Sequence, residues 1–214
     1  LSEFRDHLYL AIACMRKGQS EAFDSELAAM EKIRSGMKLE PAFLAKFGTL
    51  QARSGRLREA DRILESLRAV VGDLLAASGV SRSAQSDQAA YHRLKGEIEL
   101  ARRNHEEAVR SFEMARNLRD LWGEDSLALA YKESGAIDKA IEKYGEFLEA
   151  DVLGYEAQDV WCAAHYEIGL LYEKRGEPAE AAKWYGRFLE LWKDADADIA
   201  AVADARERLL GLGK

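Results

Sequence analysis

Residues 140–149 and 181–190 are near copies, 41 positions apart, and this self-similarity restricts the fold more than any other feature. Ala140, Tyr144, Gly145, Phe147, Leu148 and Glu149 match Ala181, Tyr185, Gly186, Phe188, Leu189 and Glu190 identically. Upstream of these blocks Tyr131 matches Tyr172, and Gly135 matches Gly176. A fixed repeat of this length marks a chain built from small stacked units, none of which can bury its own apolar stripe alone. The later copy reads as two amphipathic helices around a turn at Arg175-Gly176-Glu177-Pro178. Ile168, Gly169 and Tyr172 share one face of the first helix. Ala181, Tyr185, Phe188 and Leu189 fall at i, i+4, i+7 and i+8 on the second, the core stripe of a helix. Small residues, Gly169 and Ala181, stand where the two faces meet.

The same pattern extends along the chain. The spacing predicts helix pairs over about 2–34, 41–77, 89–118, 121–149 and 155–192, then a capping helix over about 197–211. Only two prolines occur in 214 residues, which agrees with an all-α fold. Pro41 opens one helix, as proline does well in a first turn. The second helix of the 41–77 pair is expected to run to about Ala77. Ser78 to Asp87, SGVSRSAQSD, reads as a polar loop between pairs. In the third pair Asn104 takes the turn, where a left-handed conformation is tolerable. Glu99 replaces the tyrosine of later repeats, so its carboxylate needs a partner or an open face. At the end, Asp196 or Asp198 is expected to cap the last helix, whose Ile199, Val202, Leu209 and Leu210 cover the final stripe. Residues 1–214 are thus expected to form a single domain.

Charge and motif content narrow the function. The net charge is −7, the wrong sign for a nucleic-acid footprint. Residues 1–120 carry 20 Lys+Arg against 18 Asp+Glu, and residues 121–214 carry 11 against 20, so the acidity is concentrated in the second half. No apolar run approaches the ~20 residues of a membrane span. Cys14 and Cys162 form no CxxC, and the four histidines, His7, His92, His105 and His165, show no i, i+4 pairing, so no metal is expected. Asp194, Asp196 and Asp198 imitate the start of a calcium loop, but Ile199 stands in place of its glycine and Ala205 in place of its glutamate. Cys162 and His165 lie at i, i+3 without a third orienting group. No phosphate-binding, dinucleotide-binding or hydrolase motif is present, so no cofactor and no enzymatic activity are expected.

These residues resemble tetratricopeptide repeats, helix–turn–helix units of about 34 residues with small residues near the eighth and twentieth positions. Gly48, Gly96, Ala128 and Gly169 take the eighth position, and Ala60, Ala108, Ala140 and Ala181 the twentieth. Tyr131 and Tyr172 take the eleventh; Phe112, Tyr144 and Tyr185 take the twenty-fourth. The chain departs from the pattern at Phe147 and Phe188, which replace a small twenty-seventh residue, and it lacks the usual terminal proline. The resemblance implies an α-solenoid of antiparallel pairs, about five repeats in a right-handed superhelix, closed by a capping helix. It also implies a protein or peptide partner on the concave face, which the first helix of each pair lines. In this chain those positions fall on Lys46, Thr49 and Arg53 in the second pair, and on Arg93 and Glu97 in the third. Trp122, Ser126 and Leu129 follow in the fourth, and Tyr166 and Leu170 in the fifth. The lysine–asparagine clamp that some such proteins use for a terminal carboxylate is absent, since Ala45, Thr49, Arg93 and Glu97 hold its places. Trp122 and Tyr166 are the better candidates for partner-binding aromatics. The segment YGRFLELWKDADAD with ADARERL also resembles the end of helical-repeat regions in bacterial multidomain regulators. Two alternatives therefore stand beside a binding scaffold: a regulatory region of a larger kinase or transcription regulator, and a self-association module. Leu1, in place of an initiator methionine, is expected of a region cut from a longer protein. The compartment is expected to be cytoplasmic.

Overall fold

The computed structural model describes residues 1–72, 81–118, 124–149, 158–194 and 199–213. Eleven helices and no strand occur among the described residues. The first pair is α1 (Ser2–Arg16) and α2 (Ser20–Gly36), and the second is α3 (Pro41–Arg53) and α4 (Leu57–Val71). The third is α5 (Arg82–Ala101) and α6 (His105–Asn117). The fourth is α7 (Glu124–Glu133) and α8 (Ile137–Glu149), and the fifth is α9 (Gln158–Arg175) and α10 (Pro178–Leu191). Helix α11 (Ala200–Leu212) follows. They group into two compact units, Leu1–Ser126 and Leu127–Lys214.

Each turn between paired helices closes in the same way. A left-handed residue ends the first helix, and the amide after it reaches back five residues to a free carbonyl. In the second pair Gly55 has φ 79° and Arg56 N–H donates to Gln51 O at 2.8 Å. Gly18, Gly135 and Gly176 occupy the same conformation. In the third pair it is Arg103, at φ 64°, that is left-handed. Asn104, expected in that role, is instead the N-cap of α6, and its N–H donates to Glu99 O at 2.8 Å. The backbone register of the motif fixes the left-handed site one residue before the cap, whatever side chain falls there.

In the first unit α3 packs on α4 and α5, and α5 on α4 and α6, so successive first helices are neighbours. Phe4, Phe47, Leu67, Leu94 and Ile98 are fully buried in its core. In the second unit α9 packs on α8 and α10, and α11 on α10. Tyr185, Phe188, Val202 and Ala205 form the core beneath α11. The small eighth-position residues are required by close approach. A Cβ on Gly169 would lie 2.6 Å from the Tyr185 ring, and one on Gly96 would lie 2.6 Å from the Phe112 ring. The Tyr185 ring fills the space above Gly169.

Three arginine–aspartate clasps join a second helix to the next turn. Arg56 pairs with Asp24, Arg102 reaches both carboxylate oxygens of Asp61 at 2.8 and 2.7 Å, and Arg175 reaches Asp138 at 2.8 Å. Glu99 finds the partners its position demanded: Arg102 at 2.9 Å and the Asn104 amide at 2.7 Å. Tyr172, which shares a helix face with the buried Ile168, is only half-buried, with the Arg175 guanidinium 4.7 Å above its ring.

Two boundaries differ from the sequence reading. The polar segment 78–87 is helical from Arg82, because Ser81 caps α5 by accepting from Ala84 N–H and no helix breaker follows it. The preceding residues 78–80 lie outside the described residues, as do 73–77, over which α4 was expected to continue. The last helix has Ile199 at its N-cap, without a side-chain cap; Asp196 and Asp198 lie outside the described residues.

Candidate partner-binding face

Arg53, Glu97 and Ser126 come from three successive first helices, α3, α5 and α7, and the fold brings their side chains together. Arg53 donates from Nε and Nη2 to the two oxygens of Glu97, at 2.9 and 2.7 Å, a bidentate pair. The same Nη2 donates to Ser126 Oγ at 2.9 Å, and Ser126 Oγ–H donates to Glu97 Oε1 at 2.6 Å. Glu97 is 3% exposed, whereas about a third of the Arg53 side chain meets solvent. Burial opposes ionisation of Glu97, but the charge and hydrogen bonds of Arg53, with Ser126 and the charge of Arg93, outweigh it and hold the carboxyl below its usual range. Asp125 stands 3.9 Å from Arg53 Nη2. Burial pushes its carboxyl up, against the pull of Arg53, and the neighbouring Glu97 pushes it further. Lys46, Thr49 and Arg93 are half-buried on the same helices, and Ala45 is fully buried.

In the second unit Lys132 of α7 donates to Glu167 of α9 at 2.6 Å. Leu129 and Leu170 are half-buried on the same two helices. Tyr166 is half-buried on α9. Its hydroxyl donates to Asp204 of α11 at 2.6 Å, and its ring lies 5.4 Å from Phe188. Arg208 of α11 donates to Asp204 at 2.5 Å and to both oxygens of Glu173 at 3.1 Å, while Tyr185 donates to Glu173 at 2.7 Å. Burial and the adjoining Asp204 push the Tyr166 hydroxyl up to about 12. Asp204 itself is held low by its hydrogen bonds from Tyr166 and Arg208. Sequence reasoning missed Glu173, Asp204 and Arg208. The i, i+4 spacing of Asp204 and Arg208 was the available signal, though nothing in it points across to α9. Trp122 lies outside the described residues.

His165 Nδ1 lies 3.1 Å from the carbonyl of Trp161, and burial pushes the Cys162 thiol up, so the i, i+3 pair is not arranged as thiolate and base. Among the described residues no group of three or more His, Cys, Asp or Glu side chains is placed to hold a metal. No helix among them is long and apolar enough to cross a membrane.

The tetratricopeptide-repeat family profile matches residues 164–196, the last full pair. No curated protein matches the chain by sequence. Several solved structures share its fold. A thermophilic tetratricopeptide-repeat protein of Thermus thermophilus superposes with a TM-score of 0.62 at 17% identity, over 97% of this chain and 99% of that one. BtubC of P. vanneervenii gives 0.54 at 13% identity, over 98% and 87%. The MamA protein gives 0.51 at 19% identity, over 89% and 92%. Residues 164–196 are therefore a tetratricopeptide repeat, and the chain has the all-α helical-repeat fold of tetratricopeptide-repeat proteins.

Proposed function

We propose that the chain is a non-catalytic scaffold, each of whose two units offers a protein or peptide partner the face made by its own first helices. The observation that carries this reading is the convergence of Arg53, Glu97 and Ser126 from α3, α5 and α7. Arg53 is the member of the cluster that a partner can reach, and the buried Glu97 and Ser126 hold its guanidinium in place from beneath. Such a preorganised side chain loses little entropy when a partner lands on it. Lys46 and Thr49, half-buried beside this cluster on α3, are the residues a partner reaches without breaking it. Leu129 and Leu170 supply apolar contact on the α7 and α9 faces. Tyr166 is assigned to the attachment of α11 instead, because its hydroxyl is committed to Asp204.

The test is affinity enrichment from a host extract with the intact protein, alongside a Lys46→Glu/Thr49→Glu variant of unchanged melting temperature. A partner retained by the wild type and lost by the variant is expected. Equal retention by both overturns the assignment of the face. Failure of the wild type to enrich any protein overturns the scaffold reading.

A further inference from the structure

His165, on α9, is 1% exposed. Its imidazole stands edge-on to the Trp161 indole at a centroid distance of 4.7 Å, and it lies 5.6 Å from the Trp184 indole of α10. Nδ1 is 3.1 Å from the Trp161 carbonyl oxygen. A carbonyl only accepts, so Nδ1 carries the hydrogen, and in the neutral ring Nε2 carries none. Trp161 in turn donates its indole N–H to the carbonyl of Leu148, in the last turn of α8, at 3.2 Å. One ring is thereby connected to three helices: its own, α10 through Trp184, and α8 through Trp161.

This setting suits a neutral imidazole and not a charged one. The charge that reaches His165 from the helices around it is that of Arg187 on α10, which repels a second cation. On its own helix, Cys162 keeps a protonated, neutral thiol because burial pushes it up. From α8 the contact is an uncharged carbonyl, made through Trp161. Burial, aided by Arg187 and opposed by the Trp161 carbonyl, holds His165 below the ordinary histidine range. Above the ordinary value of 6.5 the ring is neutral whether packed or solvated, so protons favour neither state. Below it a solvated ring takes up a proton that the packed ring refuses, and acid therefore favours the solvated state.

We propose that His165 is a proton-operated latch. Its protonation drives the ring from between Trp161 and Trp184, frees the Trp161 indole from the α8 carbonyl, and loosens the joint between α8 and α9.

The test is solution NMR of the intact protein from about pH 8 to about pH 5, following the His165 ring and the Trp161 indole N–H together. In the wild type the two are expected to share one midpoint below 6.5. Across it the indole N–H should lose protection against exchange with water by roughly tenfold or more. Intrinsic exchange slows as acid is added, so faster exchange in acid reports opening and not chemistry. In His165→Phe, which keeps an aromatic ring but cannot titrate, the indole should stay protected throughout. Three results each overturn the proposal: a His165 that stays neutral to about pH 5, an indole that stays protected while His165 titrates, or the same loss of protection in His165→Phe. If His165→Phe does not fold, the wild-type midpoints and exchange decide alone.

Discussion

Arg103 occupies a backbone conformation that Gly18, Gly55, Gly135 and Gly176 occupy in the other turns. A β-carbon there crowds the following carbonyl, at a cost on the order of 1 kcal/mol, and Arg103 is exposed. Arg103→Gly is therefore expected to stabilise the protein by about 0.5–1 kcal/mol, read from the denaturant midpoint, because the left-handed strain outweighs the extra freedom of an unfolded glycine. The converse holds at Gly169, whose added β-carbon would sit 2.6 Å from a fully buried tyrosine ring. Gly169→Ala should cost about 1–3 kcal/mol by overpacking, and thermal melting checks it. Both positions are legible as repeat sites in the amino-acid sequence, since glycine or alanine recurs there. What the sequence did not show was which residue of Arg103-Asn104 takes the left-handed site. The polar character of asparagine pointed one way, and the hydrogen-bond register of the turn decided the other.

At the scale of elements, three first helices, α3, α7 and α9, are tied to a later helix by a side chain near their C-terminal ends. Arg53 reaches Glu97, Lys132 reaches Glu167, and Glu173 receives Arg208. Removing Arg53 leaves Glu97 buried without its main counter-charge, so Arg53→Ala should cost about 2–3 kcal/mol, toward the low end for buried pairs because Arg53 is partly solvated. Arg53→Met/Glu97→Met should cost less than Arg53→Ala alone, a comparison that a double-mutant cycle reads directly. Acid should act on the same contact. The folded carboxyl of Glu97 lies below its ordinary value of 4.5, so the unfolded chain binds the proton first. The stability it contributes is complete above that value and is lost as the pH falls through the lower, folded one. Glu97→Gln should flatten this limb of the stability–pH curve. Sequence reasoning placed Arg53, Glu97 and Ser126 on one face from their repeat positions. It did not foresee that they bind one another, because Arg53 and Glu97 are 44 residues apart and meet only once the helices are in register. The start of α5 was hidden for a related reason. A run of serine, glutamine and aspartate reads as loop until the capping hydrogen bond of Ser81 is seen.

At the scale of the molecule, the sequence showed the repeat count and the all-helical class, because turn glycines and small residues recur at helix-pair spacing. The ligand is not encoded in that recurrence, which specifies the scaffold and leaves the exposed positions free to vary. The end of the array carries its own prediction. α11 buries Val202 and Ala205 against α10 and holds Tyr166 and Glu173 of α9 through Asp204 and Arg208. Deleting residues 199–214 should cost roughly 3 kcal/mol or more from lost apolar burial and unpaired polar groups. Increased binding of a hydrophobic dye should accompany the lower melting temperature.

Helix α11 packs on α10 and grips α9 through side-chain hydrogen bonds, at the point in the chain where the first helix of another pair would follow. The socket it fills is therefore generic. A second copy of residues 158–191 spliced ahead of α11 would offer α11 the same tyrosine, glutamate and apolar stripe that it grips now. The chain can in this way be lengthened by whole modules without redesigning its terminus, and the 41-residue echo between 140–149 and 181–190 is the mark such a duplication leaves.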